Sequence, residues 1–235
     1  DVDVPRCFIA MDQDGRLGSL VEFFYGYPDE KHETRFVHAS DFLQHFIVNK
    51  KRGRPHGFRT NVTICADVAG IPDPELWWGK VIAFDALIGN TDRHPDNWGL
   101  LTTSGGASAN TFWFAPAYDN GTSLGYQIAS CDLKKYNTNA SRQRFIDRGE
   151  HHCGWDRWDD KRLPHAVACK RFGQQHIGAI NAMQSVIRID MDVVRRVVES
   201  YVDVHPALGF TVERSELVSA LLQMRRDGIA AALGA

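Results

Sequence analysis

The chain has 235 residues, 43% hydrophobic and 24% charged, with a formal net charge of −2. This length can bury a substantial core in one large domain or two small ones, and the near-neutral balance excludes an overall field suited to nucleic acid or an anionic membrane. The central apolar run at 81–88 is interrupted by Asp85 and is too short to span a bilayer. Five scattered cysteines (Cys7, Cys65, Cys131, Cys153 and Cys169) argue against a disulfide framework and for a reducing, cytoplasmic setting. No charged-then-apolar leader opens the chain, and its start at Asp1 is what a piece of a longer protein would show.

From the N-terminus, β-prone runs at 7–11 and 19–24 flank the turn-rich Asp12-Gln13-Asp14-Gly15 and predict a hairpin. Residues 25–33 read as a polar connector. A helix is expected from Ser40 or Asp41, with Phe42, Leu43, Phe46 and Ile47 on its apolar face. Residues 49–59 read as a basic loop. Asp73 is placed to cap a helix that Pro74 opens and Gly89 stops. In it Trp77, Val81, Phe84 and Ile88 recur at helical spacing and predict one buried stripe. Short strands are expected at 98–102 and 111–115, around a turn at 104–110. From Tyr118 to about 162 the chain reads as one long irregular, aromatic-containing stretch. The end is helical. One helix follows Asp190, with Val194, Val197, Val198 and Tyr201 on a face, and another spans about 215–233 with Leu217, Leu221 and Met224.

The chemistry concentrates in Gly89-Asn90-Thr91-Asp92-Arg93-His94-Pro95-Asp96-Asn97, directly after the long helix. Asp92 and Asn97 have the Asp-x₄-Asn spacing of a protein-kinase catalytic loop. Phosphoryl transfer to a hydroxyl needs a carboxylate to orient the nucleophile and take its proton, and oxygen ligands for Mg²⁺. Asn97 offers an amide oxygen. A hairpin symmetric about Ser108 would set Asn97 beside Asp119, whose Asp119-Asn120-Gly121 is similar to the metal-binding Asp-x-Gly of kinases. His94 is either an orienting group bonded to the loop backbone or Asp119, or a packed structural histidine. Arg93 either steadies an acid or a phosphate, or faces solvent.

With Phe114-Ala115-Pro116-Ala117-Tyr118-Asp119 added, this segment resembles the catalytic core of HipA-like serine/threonine kinases of bacterial toxin–antitoxin systems. The Asp-Arg-His-x-x-Asn form is also similar to phosphatidylinositol kinases. The match is best over 77–124. The resemblance implies an α+β, protein-kinase-like fold, with 1–29 a remnant of an N-lobe hairpin and hinge and 30–235 a helical catalytic C-lobe. It implies ATP and Mg²⁺ as cofactors and a protein substrate, with Asp92, His94 and Asn97 catalytic, and Asn97 and Asp119 holding metal and nucleotide. A glycine-rich phosphate loop and its strand lysine are not seen before Asp92, where the lysines are Lys31, Lys50, Lys51 and Lys80. The expectation is that this part lies elsewhere in the native protein, comes from a partner chain, or has been lost. An antitoxin is the other expected partner, and no membrane is. A non-catalytic pseudokinase module and a lipid kinase are the competing readings.

Three further features carry less weight. Lys50-Lys51-Arg52-Gly53-Arg54-Pro55 contains an Arg-Gly-Arg-Pro core suited to an A·T-rich minor groove, although a solvated basic loop is the expectation. His151, His152, Cys153, His165 and Cys169 have zinc-binding chemistry without a tight ligand spacing. Trp155 and Trp158 are expected to anchor packing.

Overall fold

A computed structural model describes residues 2–25, 34–44, 56–103, 111–156, 159, 161–202, 204–205 and 208–235. The opening hairpin is present: β1 (Cys7–Met11) pairs antiparallel with β2 (Leu17–Val21), Cys7 opposite Val21. The second strand lies two residues earlier than the apolar run suggests, because the Asp12 carboxylate takes the N–H groups of both Asp14 and Arg16 and closes the turn there. Phe8, Ile9, Met11, Leu20 and Val21 of this ribbon are exposed. It is tied to the body by the Ala117 N–H, which donates to the Asp3 carbonyl at 2.8 Å, and by Phe24 stacked on Tyr118.

A second sheet has the order β3 (Thr34–His38), β4 (Gly99–Thr103), β5 (Thr111–Phe114), all antiparallel. The strands expected at 98–102 and 111–115 are thus found within a residue. β3 is an addition to the sequence reading; its partner β4 lies some sixty residues away, so no local pattern announces it. Gly99 is needed where they meet, since a Cβ there would lie 2.4 Å from the Val37 carbonyl oxygen. Helix α1 (Ala39–Leu43) continues from β3, starting within two residues of the expected site but capped by no side chain. Phe46, Ile47 and the basic segment 50–55 lie outside the described residues. The expected loop ends early, because Phe58 buries its ring and opens α2 (Phe58–Thr63), which runs into a π-helical turn at Ile64–Val68.

Helix α3 (Pro74–Ile88) has the expected ends. Its cap does not follow the reading: Asp73 is left-handed (φ 45°) and its side chain makes no capping bond. Nor is there a single stripe. Pro74, Trp78, Gly79, Val81, Ile82, Ala83, Asp85, Ala86 and Leu87 are the buried residues, while Trp77, Phe84 and Ile88 are only partly so. The helix is central, with α5, α6 and α8 packed around it, and a helix surrounded by neighbours loses its wet face. Trp77 instead stacks on Phe114, ring centroids 4.1 Å apart, and fastens α3 to the sheet.

The stretch expected to be irregular contains a 3₁₀ turn at Ser130–Tyr136 and helix α4 (Asn139–Ile146), held by a reciprocal Thr138–Ser141 capping box. Then come α5 (His165–Gln175), a 3₁₀ turn at Ile177–Ala179, α6 (Ile180–Ile187), α7 (Met191–Glu199) and α8 (Val212–Leu233). Asp190 caps α7 through the N–H groups of Asp192 and Val193, but Val197 and Tyr201 on its apolar side are exposed. Roughly half of the described residues are helical, in a mixed α/β arrangement with small sheets. Among the described residues no helix is long and apolar enough to cross a membrane.

Candidate active site

The loop that follows α3 is positioned by the end of that helix. Gly89 adopts φ 71°, and a Cβ there would sit 2.2 Å from the Arg225 guanidinium, so only glycine turns the chain here. The Ile88 carbonyl accepts from Arg225 Nη1 at 3.0 Å and from the Leu124 N–H at 2.8 Å. The last helical carbonyl thereby ties α8 and the segment returning from β5 to one point. Within the loop, Asn90 Oδ1 accepts from the Asp92 N–H (3.0 Å) and the Thr122 hydroxyl (2.7 Å), while Asn90 Nδ2 donates to Asp85 (3.0 Å). The Asp92 carbonyl accepts from the His94 N–H and from Asn97 Nδ2, both at 2.8 Å. His94 Nδ1 faces the Asp96 N–H at 3.2 Å, so this histidine bonds the loop backbone, one of its two expected roles.

Arg93 organises everything around it. Its side chain is 2% exposed, and it pairs with the equally buried Asp85 at 2.7 Å. Nε donates to Asp85 Oδ2, Nη2 to Asp85 Oδ1 and Asn120 Oδ1, and Nη1 to the carbonyls of Asn97 and Tyr118. All five N–H donors of the guanidinium are engaged. Burial works against its charge, and Asp85 outweighs that, leaving Arg93 above its ordinary value. Burial also raises the Tyr118 hydroxyl; Arg93 opposes this, and Asp96 and Asp119 reinforce it. That hydroxyl donates to the Asp96 carbonyl at 2.6 Å.

The meeting of residue 97 with residues 118–120 rests on the hairpin, whose centre is one residue from the expected one, and on Arg93, which ties its open end. Leu100 faces Phe114, which centres the pairing on residue 107 instead of Ser108 and would set Asn97 opposite Ala117 in a continued ladder. One nitrogen of Arg93 nonetheless binds the carbonyls of Asn97 and Tyr118, which holds those two oxygens within about two hydrogen-bond lengths, roughly 6 Å, of each other. Asp119 follows in the left-handed region (φ 51°), a conformation that costs a non-glycine residue about 1 kcal/mol.

The donor set suits a hard divalent cation. Asn97 commits its amino group to the Asp92 carbonyl, which fixes which way its amide oxygen faces. Among the described residues that oxygen and the carboxylates of Asp92 and Asp119 receive no hydrogen bond. Of these oxygens that of Asn97 has its direction fixed, and amide and carboxylate oxygens without hydrogen-bond donors are the ligand type that Mg²⁺ takes. Sequence reasoning missed Asp85, Asn90, Tyr118, Asn120 and Thr122. The one sequence signal for them is Asp85, an acid inside an apolar helix, which needs a cation in reach.

The other candidate clusters are structural. His56 Nε2 lies 3.0 Å from His152 Nδ1, and Cys153 Sγ lies 3.3 Å from His56 Nδ1, all buried. Burial raises the thiols of Cys153 and Cys169, the latter to about 12, so both stay neutral. Among the described residues no group of three or more His, Cys, Asp or Glu is arranged to hold a metal ion. Trp155 is buried under Arg171, whose Cζ lies 4.4 Å from the ring centroid; Trp158 lies outside the described residues.

The fold is kinase-like. Among solved structures the chain is similar to the crystal structure of a Helicobacter pylori proinflammatory kinase, CtkA, with a TM-score of 0.75 and 17% identity over 99% of this chain and 82% of that one. At that identity the likeness is one of fold. No family model and no curated protein matches the sequence.

Proposed function

We propose that this protein is a HipA-like phosphotransferase that uses ATP and Mg²⁺ to phosphorylate a Ser or Thr hydroxyl of a protein. The observation that carries the reading is the Arg93 guanidinium, which bonds the carbonyls of Asn97 and Tyr118 through one nitrogen and so ties the Asp-x₄-Asn loop to the segment bearing Asp119. The kinase-like fold supports it. In this reading the helical body with β4 and β5 is a catalytic C-lobe, and the exposed β1–β2 ribbon is the end of an N-lobe.

Asn97 and Asp119 would hold the magnesium ion, which supplies charge neutralisation at the transferring phosphate. Asp92 orients the acceptor hydroxyl and takes its proton as the oxygen attacks. Arg93 touches neither substrate nor metal; it fixes the backbone that presents the oxygen groups. His94 steadies the turn between Asp92 and Asn97. The setting is cytoplasmic, and the partners are a protein substrate and an antitoxin or lobe-completing chain.

The test is transfer of radiolabelled γ-phosphate by the protein expressed from its complete reading frame, with Asp92→Asn as the comparison. Transfer should fall at least about 10³-fold in the variant, with unchanged circular dichroism and melting. Full activity in the Asp92→Asn protein overturns the assignment. Nucleotide binding without transfer in the unaltered protein would identify a non-catalytic module.

A further inference from the structure

Three side chains from later in the chain reach the loop around Asp92. Arg162 Nη1 donates to the Thr91 carbonyl at 3.5 Å, the Cys153 thiol faces the Arg93 carbonyl at 3.9 Å, and the His152 ring meets the His94 ring edge-on, centroids 5.7 Å apart. Asp92 is thus bracketed. The carbonyl before it and the carbonyl after it each meet one of these side chains, and its own carbonyl accepts from the His94 N–H and Asn97 Nδ2. A carboxylate that receives no hydrogen bond takes its direction from the backbone that carries it, since the allowed rotamers follow φ and ψ.

These side chains are themselves anchored. His152 Nδ1 lies 3.0 Å from His56 Nε2, both rings buried, and His56 Nδ1 faces the Cys153 thiol at 3.3 Å. The Gly154 N–H donates to the His56 carbonyl at 3.1 Å and the Phe58 N–H to the Gly154 carbonyl at 3.2 Å. The two backbones run so close that a Cβ on Gly57 would lie 2.5 Å from the Asp156 carbonyl carbon. Beside Arg162, the Leu163 carbonyl accepts from the His151 N–H at 2.9 Å. Side chains locked in this way can hold a neighbouring loop to a single geometry.

We propose that Arg162 and His152 are positioning residues for phosphoryl transfer, holding the backbone on either side of Asp92 so that its carboxylate meets the acceptor hydroxyl. The inference rests on the reading of Asp92 as the group that takes the hydroxyl proton. Loss of either contact misdirects that carboxylate and slows the reaction. Nucleotide still binds, because the backbone at Asn97 and Tyr118 is held separately by Arg93.

Steady-state transfer and amide hydrogen exchange, both on the protein expressed from its complete reading frame, test this together. Arg162→Met should lower kcat about fivefold and leave KM for ATP within about twofold. It should also speed exchange of the Asp92 and His94 amides about fivefold without changing those of α3. Arg162 is only partly buried, so its variants keep the fold. Arg162→Lys keeps a donor for the Thr91 carbonyl and should restore all three values. His152→Asn keeps a polar atom where Nδ1 lies, and with it the bond to His56, but withdraws the ring from His94; it should match Arg162→Met. Unchanged loop exchange in Arg162→Met or His152→Asn, exchange that quickens equally in α3, or a level kcat with a raised KM overturns the proposal. An unaltered protein without any transfer removes the kinase reading instead, and the exchange rates alone then decide whether these side chains hold the loop.

Discussion

Replacing Arg93 with methionine tests the central ion pair most directly. The pair is 2% exposed on both sides, so the substitution leaves the Asp85 carboxylate buried with Asn90 Nδ2 as its remaining donor at 3.0 Å. Stranding a buried charge in this way costs about 3–5 kcal/mol. For a chain of this length each kcal/mol moves the melting temperature by about 2–4 °C, so a fall of roughly 6–20 °C is expected. Asp85→Leu/Arg93→Met removes both charges and fills the space with apolar atoms. It still lacks the bonds to Asn97, Tyr118 and Asn120, worth about 1 kcal/mol each, but it no longer strands a charge. The double variant should therefore be about 2 kcal/mol more stable than Arg93→Met in urea unfolding followed by circular dichroism. A cost below about 1 kcal/mol for Arg93→Met, or a double variant as unstable as the single one, would refute the claim that Arg93 holds a buried Asp85 charge.

Two further outcomes follow from strain and from burial. Asp119→Gly should raise stability by about 1 kcal/mol by relieving the left-handed backbone at φ 51°, while phosphoryl transfer is lost; a less stable glycine variant in urea melts contradicts the strain argument. His151 is buried and held at about 4 chiefly by burial, with Asp85 and Arg93 pulling in opposite directions. Between about pH 4 and 6.5 the unfolded chain then binds the extra proton, so stability falls as pH is lowered through that window. From pH 7.5 to 5.0 this histidine contributes a loss of about 2 kcal/mol, and His151→Phe should remove it from the pH dependence of urea unfolding. Equal pH dependence in the two proteins would show that His151 protonates as freely folded as unfolded.

The parts of the fold that could be read in advance carry their signals locally. Pro74 and Gly89 mark both ends of α3 because fixed φ and left-handed φ are properties of single residues. The Asp92 to Asn97 spacing is legible for the same reason. What escaped depends on distant partners. β3 exists through its register with β4, and α2 opens at Phe58 behind a glycine that has no capping side chain. The stripe on α3 was misread because one-sided patterning presumes one solvent-facing side, and this helix has neighbours all round. The hairpin argument brought Asn97 and Asp119 together by symmetry about Ser108; the hairpin centres one residue away, and its open end is tied by Arg93, a residue the sequence left between an acid, a phosphate and solvent. Its partner Asp85 lies eight positions earlier, across a helix end, where no simple periodicity links them.

Because every N–H of Arg93 is already spent on the protein, the backbone around Asn97 and Tyr118 is set when the chain folds and not when something arrives. A molecule that docks there meets a finished mould and loses little affinity to arranging it. The expense falls instead on assembly of the core, so damage to Asp85 or Arg93 should surface first as a scarcity of folded protein rather than as a slower catalyst.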